Sequence, residues 1–186
     1  MGHGGDAIAE LMTDHREVEE MFARIQAMPG GGQELRDVVD EVTIELVRHS
    51  IAEEEYLYPA VREHIEGGDR IADKEIADHG RVEKLLKELE KTDTDDPRMG
   101  PLLQQLMEEV SAHVQDEEEN LFPMLRQACT VEALNDLGDK IRRAKSMAPT
   151  RPHPSAPSTP PANKILSPGV GLVDRARDLI SGRGKS

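Results

Sequence analysis

Four histidines in this chain are each followed, four residues later, by a glutamate. The pairs are His15 and Glu19, His49 and Glu53, His79 and Glu83, and His113 and Glu117. Residues four apart lie on the same face of a helix, about one turn from each other. Imidazole and carboxylate donors without thiolate are typical of iron, manganese or zinc sites. Six or more such donors exceed one tetrahedral zinc and are enough for two metal ions that share carboxylates.

These pairs lie in segments whose apolar residues have helical spacing. Thr130 is a candidate cap for the last of them, and Pro59 and Pro123 are expected to kink the second and fourth near their ends. Short connections make neighbouring helices antiparallel. The predicted fold is therefore all-α, an up-down-up-down four-helix bundle with a short fifth helix and a C-terminal tail. Predicted helices cover residues 6–28, 33–66, 69–91, 101–127 and 131–146.

Each of the four histidines interrupts the apolar stripe of its helix. His15 falls between Leu11 and Val18, His49 follows Leu46, and the other two have equivalent apolar neighbours. Each lies near the middle of its helix, so antiparallel packing brings all four to about the same level. One core histidine is usually a packing residue with a hydrogen bond. Four at equivalent positions, each with a carboxylate that is costly to bury alone, favour a metal site.

Most of the remaining glutamates near these stripes are expected to face solvent. This group consists of Glu17, Glu20, Glu54, Glu55, Glu118 and Glu119. His3 and His153 lie near the terminus and in the tail, and His64 ends a helix, so we expect all three at the surface.

The sequence repeats itself at an offset of 64 residues. Residues 49–62 and 113–126 are identical at seven of fourteen positions, and residues 14–19 and 78–83 at four of six. One offset shared by two separate segments indicates two helical hairpins related by a pseudo-twofold axis. A site at that axis is expected to be roughly symmetric.

Charge and composition exclude several classes of protein. The formal net charge is −14 and aromatic residues make up 2%, which opposes binding to nucleic acid or anionic lipid. No run of apolar residues is long enough for a membrane span, and no signal peptide is visible. The single cysteine, Cys129, fits a reducing compartment. We therefore expect a cytoplasmic monomer with no nucleic-acid partner and no membrane insertion.

The C-terminal part differs from the body of the chain. We predict a bundle domain over residues 1–146, a proline-rich and largely disordered linker over 147–169, and a basic tail over 170–186. The tail has the pattern of a short amphipathic helix, with Val173 and Ile180 on one side together with Ala176. Such a helix is a candidate to dock on the bundle itself, on a protein partner or on a membrane surface.

The histidine and glutamate pattern resembles the hemerythrin-like family, also called the HHE cation-binding domain, over roughly residues 6–128. The Tyr-Pro and Phe-Pro pairs at Tyr58 and Phe122, which follow the two carboxylates, are also familiar from that family. The resemblance implies a non-haem di-iron centre, and manganese would suit the same donors. By this resemblance the terminal ligands are His15, His49, His79 and His113, and the bridging ligands are Glu53 and Glu117.

The sequence departs from the oxygen-carrying members of that family. They have a further histidine four residues after the third-helix histidine, where this chain has Glu83, and an aspartate five residues after the fourth-helix histidine. An extra carboxylate favours ferric iron, which disfavours reversible oxygen carriage. Glu83, Glu19 and Tyr56 are therefore additional candidates near the metals, although Tyr56 is better interpreted as a core residue.

Several functions remain open at this point. The first is a di-iron protein that binds or reacts with a small oxidant such as oxygen, peroxide or nitric oxide, as a carrier or as an enzyme. The alternative is an iron, oxygen or redox sensor whose bundle is stabilised by iron and whose tail contacts a partner. A ferritin-like oxidase is disfavoured because those bundles use Glu-x-x-His rather than His-x-x-x-Glu.

Overall fold

The structure, a computed structural model, describes residues 4–28 and 30–181, and the side chains of 165–167 and 179–181 lie outside this description. All regular secondary structure in the described part is helical. The helices are α1 (Ala7–Ala27), α2 (Gln33–Ala52), α3 (Tyr58–His64), α4 (Gly68–Lys91), α5 (Met99–Asp116), α6 (Phe122–Ala128), α7 (Val131–Met147) and α8 (Ala162–Ser181).

The first six helices form the predicted four-helix bundle. α2 and α3 together make the second bundle helix, and α5 and α6 make the fourth. The ends follow local sequence: the Asp6 carboxylate accepts the Ala9 N–H at 2.8 Å, and the Thr130 hydroxyl caps the fifth long helix, α7. α7 packs across α1 and α2 outside the bundle.

The second and fourth bundle helices are each interrupted by one π turn, at Glu53–Leu57 and at Glu117–Leu121. The sequence predicts a kink at Pro59 and Pro123. In the structure the irregular turn precedes each proline, which then lies in the first turn of α3 or α6, where its missing N–H leaves no bond unmade. Each π turn contains one residue more than an α turn, so the side chains after it are rotated.

Two apolar clusters lie on either side of the histidine level. One cluster includes Val18 and Val82, each three residues after a histidine, and the other includes Leu11 and Ala72 on the opposite side of the same two histidines. The four histidines therefore occupy the middle of the bundle, between two dry layers. This placement isolates them from water and from each end of the bundle.

The C-terminal segment folds back onto the bundle. Residues 148–161 are irregular, and α8 begins at Ala162, inside the segment predicted as a linker, and includes Pro168. α8 crosses the end of α7 at Gly171, where an added Cβ would lie 2.5 Å from the Met147 carbonyl oxygen. Residues 182–186 of the predicted basic tail lie outside the described part.

The side of α8 that is buried is not the apolar side that the sequence predicts. Its buried residues include Asp174 and Asp178, whereas Val173 is 56% exposed and Ala176 is exposed. The acidic side turns inward because Arg151 and the ring of His153 supply partners, at 2.7 Å from Asp178 and 2.8 Å from Asp174. The side chain of Ile180 is outside the described part. Within that part, no helix combines the length and apolarity that a membrane crossing needs.

Candidate metal centre

The four bundle helices bring six of the sequence-predicted residues into one buried cluster. α1, α2, α4 and α5 each provide one histidine, and each π turn begins with one glutamate. Both glutamate side chains are 0% exposed, and the histidines are at most 7% exposed. The six residues are His15, His49, Glu53, His79, His113 and Glu117.

Glu53 lies between histidines of the two repeats. One carboxylate oxygen, Oε1, is 3.2 Å from Nε2 of His49, and the other, Oε2, is 3.2 Å from Nε2 of His79. Oxygens directed to two different imidazoles are the arrangement that a bridging carboxylate needs.

Glu117 lies between the other two histidines. Its Oε2 is 3.5 Å from Nε2 of His15 and 3.6 Å from Nε2 of His113. Candidate ligand atoms of His15, His49 and both glutamates lie within 4.8 Å of one another, and so do those of Glu53, His79 and His113. Those of Glu75, His113 and Glu117 form a third such group, so the ligand groups overlap at Glu53, at His113 and at Glu117.

Three inner atoms of the cluster, His15 Nε2, Glu53 Oε1 and Glu117 Oε2, are buried without a hydrogen-bond partner among the described residues. Nε2 of His79 also lies 3.1 Å from Nε2 of His113. Buried polar atoms of this kind are costly, at about 1–3 kcal/mol each. Cations at the centre would satisfy all of them, so the donor set fits metal ions and favours iron, manganese or zinc.

Four further carboxylates hold the outer ring nitrogens, and we call these the outer carboxylates. Each lies 2.8–3.2 Å from the Nδ1 atom of one histidine, and three of the four pairs are hydrogen-bonded, which turns Nε2 toward the centre. The Glu75 and His113 pair is close, but these two atoms are not aligned for a hydrogen bond. The pairs are Glu118 with His15, Asp14 with His49, Glu54 with His79, and Glu75 with His113.

Sequence reasoning missed these outer carboxylates. Glu54 and Glu118 were expected in solvent, yet Glu54 is 7% exposed and both contact a histidine. Their equivalence at the 64-residue offset was the available signal. The offset misleads for Asp14, because its counterpart Asp78 pairs with Lys74 and Arg81 instead of a histidine.

Tyr58, and not Tyr56, contacts the cluster. The Tyr58 hydroxyl lies 3.0 Å from His79 Nε2, 3.3 Å from Glu53 Oε2 and 3.2 Å from Glu117 Oε1. Tyr56 is half-buried, with the Lys164 ammonium 4.0 Å from its ring centre. The π turn explains the difference, because its extra residue moves the inward position from four residues after Glu53 to five.

Glu19 and Glu83 lie outside the inner cluster. Glu19 is exposed, 2.6 Å from Arg16, because the inward position beside it is taken by Val18. Glu83 is half-buried and accepts the backbone N–H of His153 at 2.7 Å. Burial is the main cause that raises the pKa of Glu83. Its contact is with the C-terminal segment.

The charges within the cluster compensate one another. Burial opposes the charged imidazole of His49, but Glu53 and Asp14 outweigh it and hold the pKa of His49 well above its usual range. For His79, burial is likewise outweighed by Glu53 and Glu54, which raise its pKa to about 10. Burial also opposes the Glu53 carboxylate, yet His49 and His79 keep the pKa of Glu53 well below its usual range.

The phenol of Tyr58 behaves differently. Burial and the charges of Glu117 and Glu53 raise the pKa of Tyr58 well above its usual range. It therefore remains a neutral hydroxyl that donates a hydrogen bond toward the cluster.

Two cavities adjoin the cluster. A cavity of about 20 Å³, room for about one water-sized molecule, is lined by all four histidines and by apolar residues such as Val18 and Val110. A second cavity, of about 120 Å³, lies between α2 and α4. Its floor includes His79 and Glu54, and residues 153–158 of the C-terminal segment line it as well.

Comparison with known proteins places this geometry in a family. The model of the Hemerythrin HHE cation binding domain matches residues 6–125. An uncharacterized hemerythrin-like protein of Schizosaccharomyces pombe is 27% identical over 171 residues, which are 91% of this chain and 84% of the yeast protein. A DNA nickase of Nostoc sp. is 28% identical over 137 residues, or 73% of this chain, and the match spans 38% of the nickase.

A solved structure has the same fold. The crystal structure of a hemerythrin HHE cation-binding domain-containing protein from Mycobacterium kansasii superimposes with a TM-score of 0.66, at 23% identity. The superposition covers 76% of this chain and 85% of that protein. The family match includes all four inward-facing histidines and both glutamates between them. This chain therefore belongs to the hemerythrin HHE cation-binding domain family.

Proposed function

We propose that this protein holds two iron ions in the buried cluster and uses them to bind or react with a small oxidant. The observation that carries the proposal is the position of Glu53, whose two oxygens face imidazoles from the two different repeats. A carboxylate in that position suits two metals better than one. When bound, such a centre supplies the electrons and the coordination positions for oxygen, peroxide or nitric oxide.

The ligand assignment follows from the two groups of inner atoms. His15 and His49 would hold one metal, and His79 and His113 the other. Glu53 and Glu117 would connect the two. The outer carboxylates would orient the imidazoles and strengthen them as donors. The same donors also suit manganese, so metal analysis is needed to decide between iron and manganese.

The protein contributes a proton donor and a dry approach to the cluster. Tyr58 is a neutral phenol within hydrogen-bond distance of Glu53, Glu117 and His79, so it is positioned to deliver or hold a proton at the centre. The small cavity beside the histidines is walled by valines and by Leu46. An apolar chamber of that size admits small uncharged molecules and excludes hydrated ions.

Metal analysis of full-length protein expressed with added iron tests the proposal. We expect two irons per chain and near-ultraviolet charge-transfer absorption that disappears on reduction. His64→Ala is a matched control, because that histidine is exposed, and it should retain both irons. One zinc per chain, or no metal at all, would overturn the proposal.

A sensor function is the second candidate, and one observation favours it. The C-terminal segment lines the larger cavity above His79 and is attached by polar contacts, including Glu83 with His153 and Glu90 with Arg151. Metal at His79 would then affect a segment that is free to contact a partner. Hydrogen exchange of residues 148–161 tests this function. Protection that depends on metal supports it, and equal protection with and without metal excludes it.

The nickase activity of the Nostoc relative is not extended to this chain. The match spans 38% of that protein, and a net charge of −14 opposes binding to a phosphate backbone.

A further inference from the structure

Lys145 brings a buried cation from α7 to the interface between α1 and α2. Its side chain is 12% exposed, and its ammonium group contacts the Asp14 carboxylate. Nζ also lies 3.0 Å from Glu45 Oε1 and 3.9 Å from Glu10 Oε1. Three carboxylates thus converge on one lysine of a helix that is not part of the four-helix bundle.

Asp14 connects this lysine to the cluster. Lys145 contacts Oδ1 of Asp14, and Oδ2 of Asp14 lies 3.0 Å from Nδ1 of His49. Nε2 of His49 in turn faces Glu53 at 3.2 Å. Asp14 and Glu53 are 0% exposed and His49 is 4% exposed. We call this series of contacts, from a lysine through a carboxylate to a histidine, a line. Charges in a buried line interact over longer distances than charges at the surface, because water does not screen them.

The second repeat contains a similar line in a wetter setting. Lys74 Nζ lies 3.1 Å from Glu75 Oε1, and Glu75 Oε2 lies 2.9 Å from Nδ1 of His113. The side chain of Lys74 is 51% exposed, and its ammonium is shared with Asp78 and Asp116. Both consist of a lysine, a carboxylate and a histidine. They differ in burial, and only the Asp14 carboxylate is hydrogen-bonded to its histidine among the described residues, so the Lys74 contacts serve as an internal control.

We propose that Lys145 is a positioning residue through which α7 sets the reduction potential of the metal centre. Its cation fixes Asp14 and withdraws electron density from the carboxylate that supports His49. His49 is then a weaker donor, and a nearby positive charge favours the reduced metal. This inference rests on the proposed iron site and adds to it a contribution from outside the bundle.

Redox titration of full-length, iron-loaded protein tests the inference with Lys145→Gln and Lys74→Gln. At a fixed potential we expect Lys145→Gln to decrease the ratio of reduced to oxidised iron about tenfold, which is about 59 mV for a one-electron couple. Lys74→Gln should change the ratio less than threefold, since Lys74 is screened by water. Lys145→Arg, which keeps the cation, should restore most of the wild-type ratio. Equal effects of the two glutamine variants would overturn the inference.

Nuclear magnetic resonance of the metal-free wild-type protein provides a test that needs neither iron nor a variant. We expect a slowly exchanging Lys145 ammonium signal and a hydrogen-bonded Nδ1 proton on His49. Absence of both signals would overturn the line from Lys145 to His49. If these signals are present and the protein binds no iron, the proposed function fails while the contact stands.

Discussion

The two repeats of the bundle have the same pattern of helices and π turns and differ at an inward-facing aromatic ring. Tyr58 and Phe122 are equivalent at the 64-residue offset, and each directly follows a π turn. The Tyr58 hydroxyl contacts His79 and both bridging candidates, whereas the Phe122 ring stacks on His15 at 5.8 Å between centroids. The repeat thus provides a symmetric set of candidate ligands, while one hydroxyl would make the two proposed metal positions chemically unequal.

Loss of a shared carboxylate should have the largest effect and should be alike in both repeats. We expect Glu53→Ala and Glu117→Ala each to bind fewer than one metal per chain and to lose several kcal/mol of stability, because metal binding contributes to folding. Metal analysis and thermal unfolding measure both quantities. Exposed Glu19 supplies the control, and Glu19→Ala should match the wild type. A variant of one repeat that keeps both metals would show that the carboxylates are not equivalent.

Acidity should change metal affinity by the next largest amount. His49 in one repeat and His79 in the other have raised pKa values in the metal-free protein, so both are protonated at pH 7. Metal binding needs neutral imidazole and must release these protons. The affinity for each metal should therefore fall about tenfold for each unit of decrease in pH, since His49 and His79 would hold different metals and each would release one proton. Calorimetry in buffers of different ionisation enthalpy counts the protons, and release of none would contradict the assignment.

Stability of the metal-free protein should have the opposite pH dependence on the alkaline side. The pKa of His79 is raised from 6.5 to about 10, so its contribution is complete below pH 6.5 and is lost as the pH rises toward 10. The pKa of Glu53 is lowered from 4.5, so its contribution is present above that pH and is lost in acid. Metal-free protein is expected to be most stable between these limits.

Removal of the Tyr58 hydroxyl should remove the chemical difference between the two repeats and should slow the reaction by an intermediate amount. Tyr58→Phe should keep both metals but react with peroxide about tenfold more slowly, because an interior proton donor is lost. Stopped-flow mixing measures the rate. Phe122→Tyr, made in the Tyr58→Phe protein, is the control. It adds a hydroxyl at the equivalent position of the other repeat, and the rate should stay low because the donor beside His79 is still missing. Unchanged rates in Tyr58→Phe would show that the phenol has only a packing role.

The smallest difference between the repeats is expected for Glu83 and Glu19, in the rate at which a chelator removes iron. Both are equivalent at the repeat offset, but Glu83 binds the backbone N–H of His153 and Glu19 pairs with Arg16 at the surface. Loss of one hydrogen bond, worth about 1 kcal/mol, should loosen the C-terminal segment and speed chelation of ferrous iron about fivefold in Glu83→Ala. Chelation from Glu19→Ala should equal that from the wild type. Equal rates in the two variants would show that the segment does not limit access.

The sequence predicts the bundle and the inner six residues of the cluster for a simple physical reason. Helical spacing and a repeated His-x-x-x-Glu pair are local properties, and antiparallel packing then leaves little freedom in where His15 and His79 meet. Their role as ligands stays a proposal. The membership of the family, predicted from the same residues, is confirmed.

Features that depend on distant parts of the chain could not be predicted in this way. From sequence alone, Glu54 looks like one of the many glutamates on a solvent-exposed helix face. Its burial follows from a histidine partner on another helix. Lys145 is 131 residues from Asp14 in sequence. The acidic face of α8 turns inward toward partners in residues 150–153, which include Arg151 and His153.

The π turns also affect how this chain can be aligned with its relatives. Deletion of one residue from positions 54–57 would allow a regular α turn, in which the tyrosine would lie four residues after Glu53 and would still face the cluster. If all five residues instead formed a regular α-helix, Tyr58 would be rotated by about 100° away from the cluster. A relative with a gap of one position here can therefore keep the inward tyrosine, and a relative without the gap keeps it only if the π turn is retained.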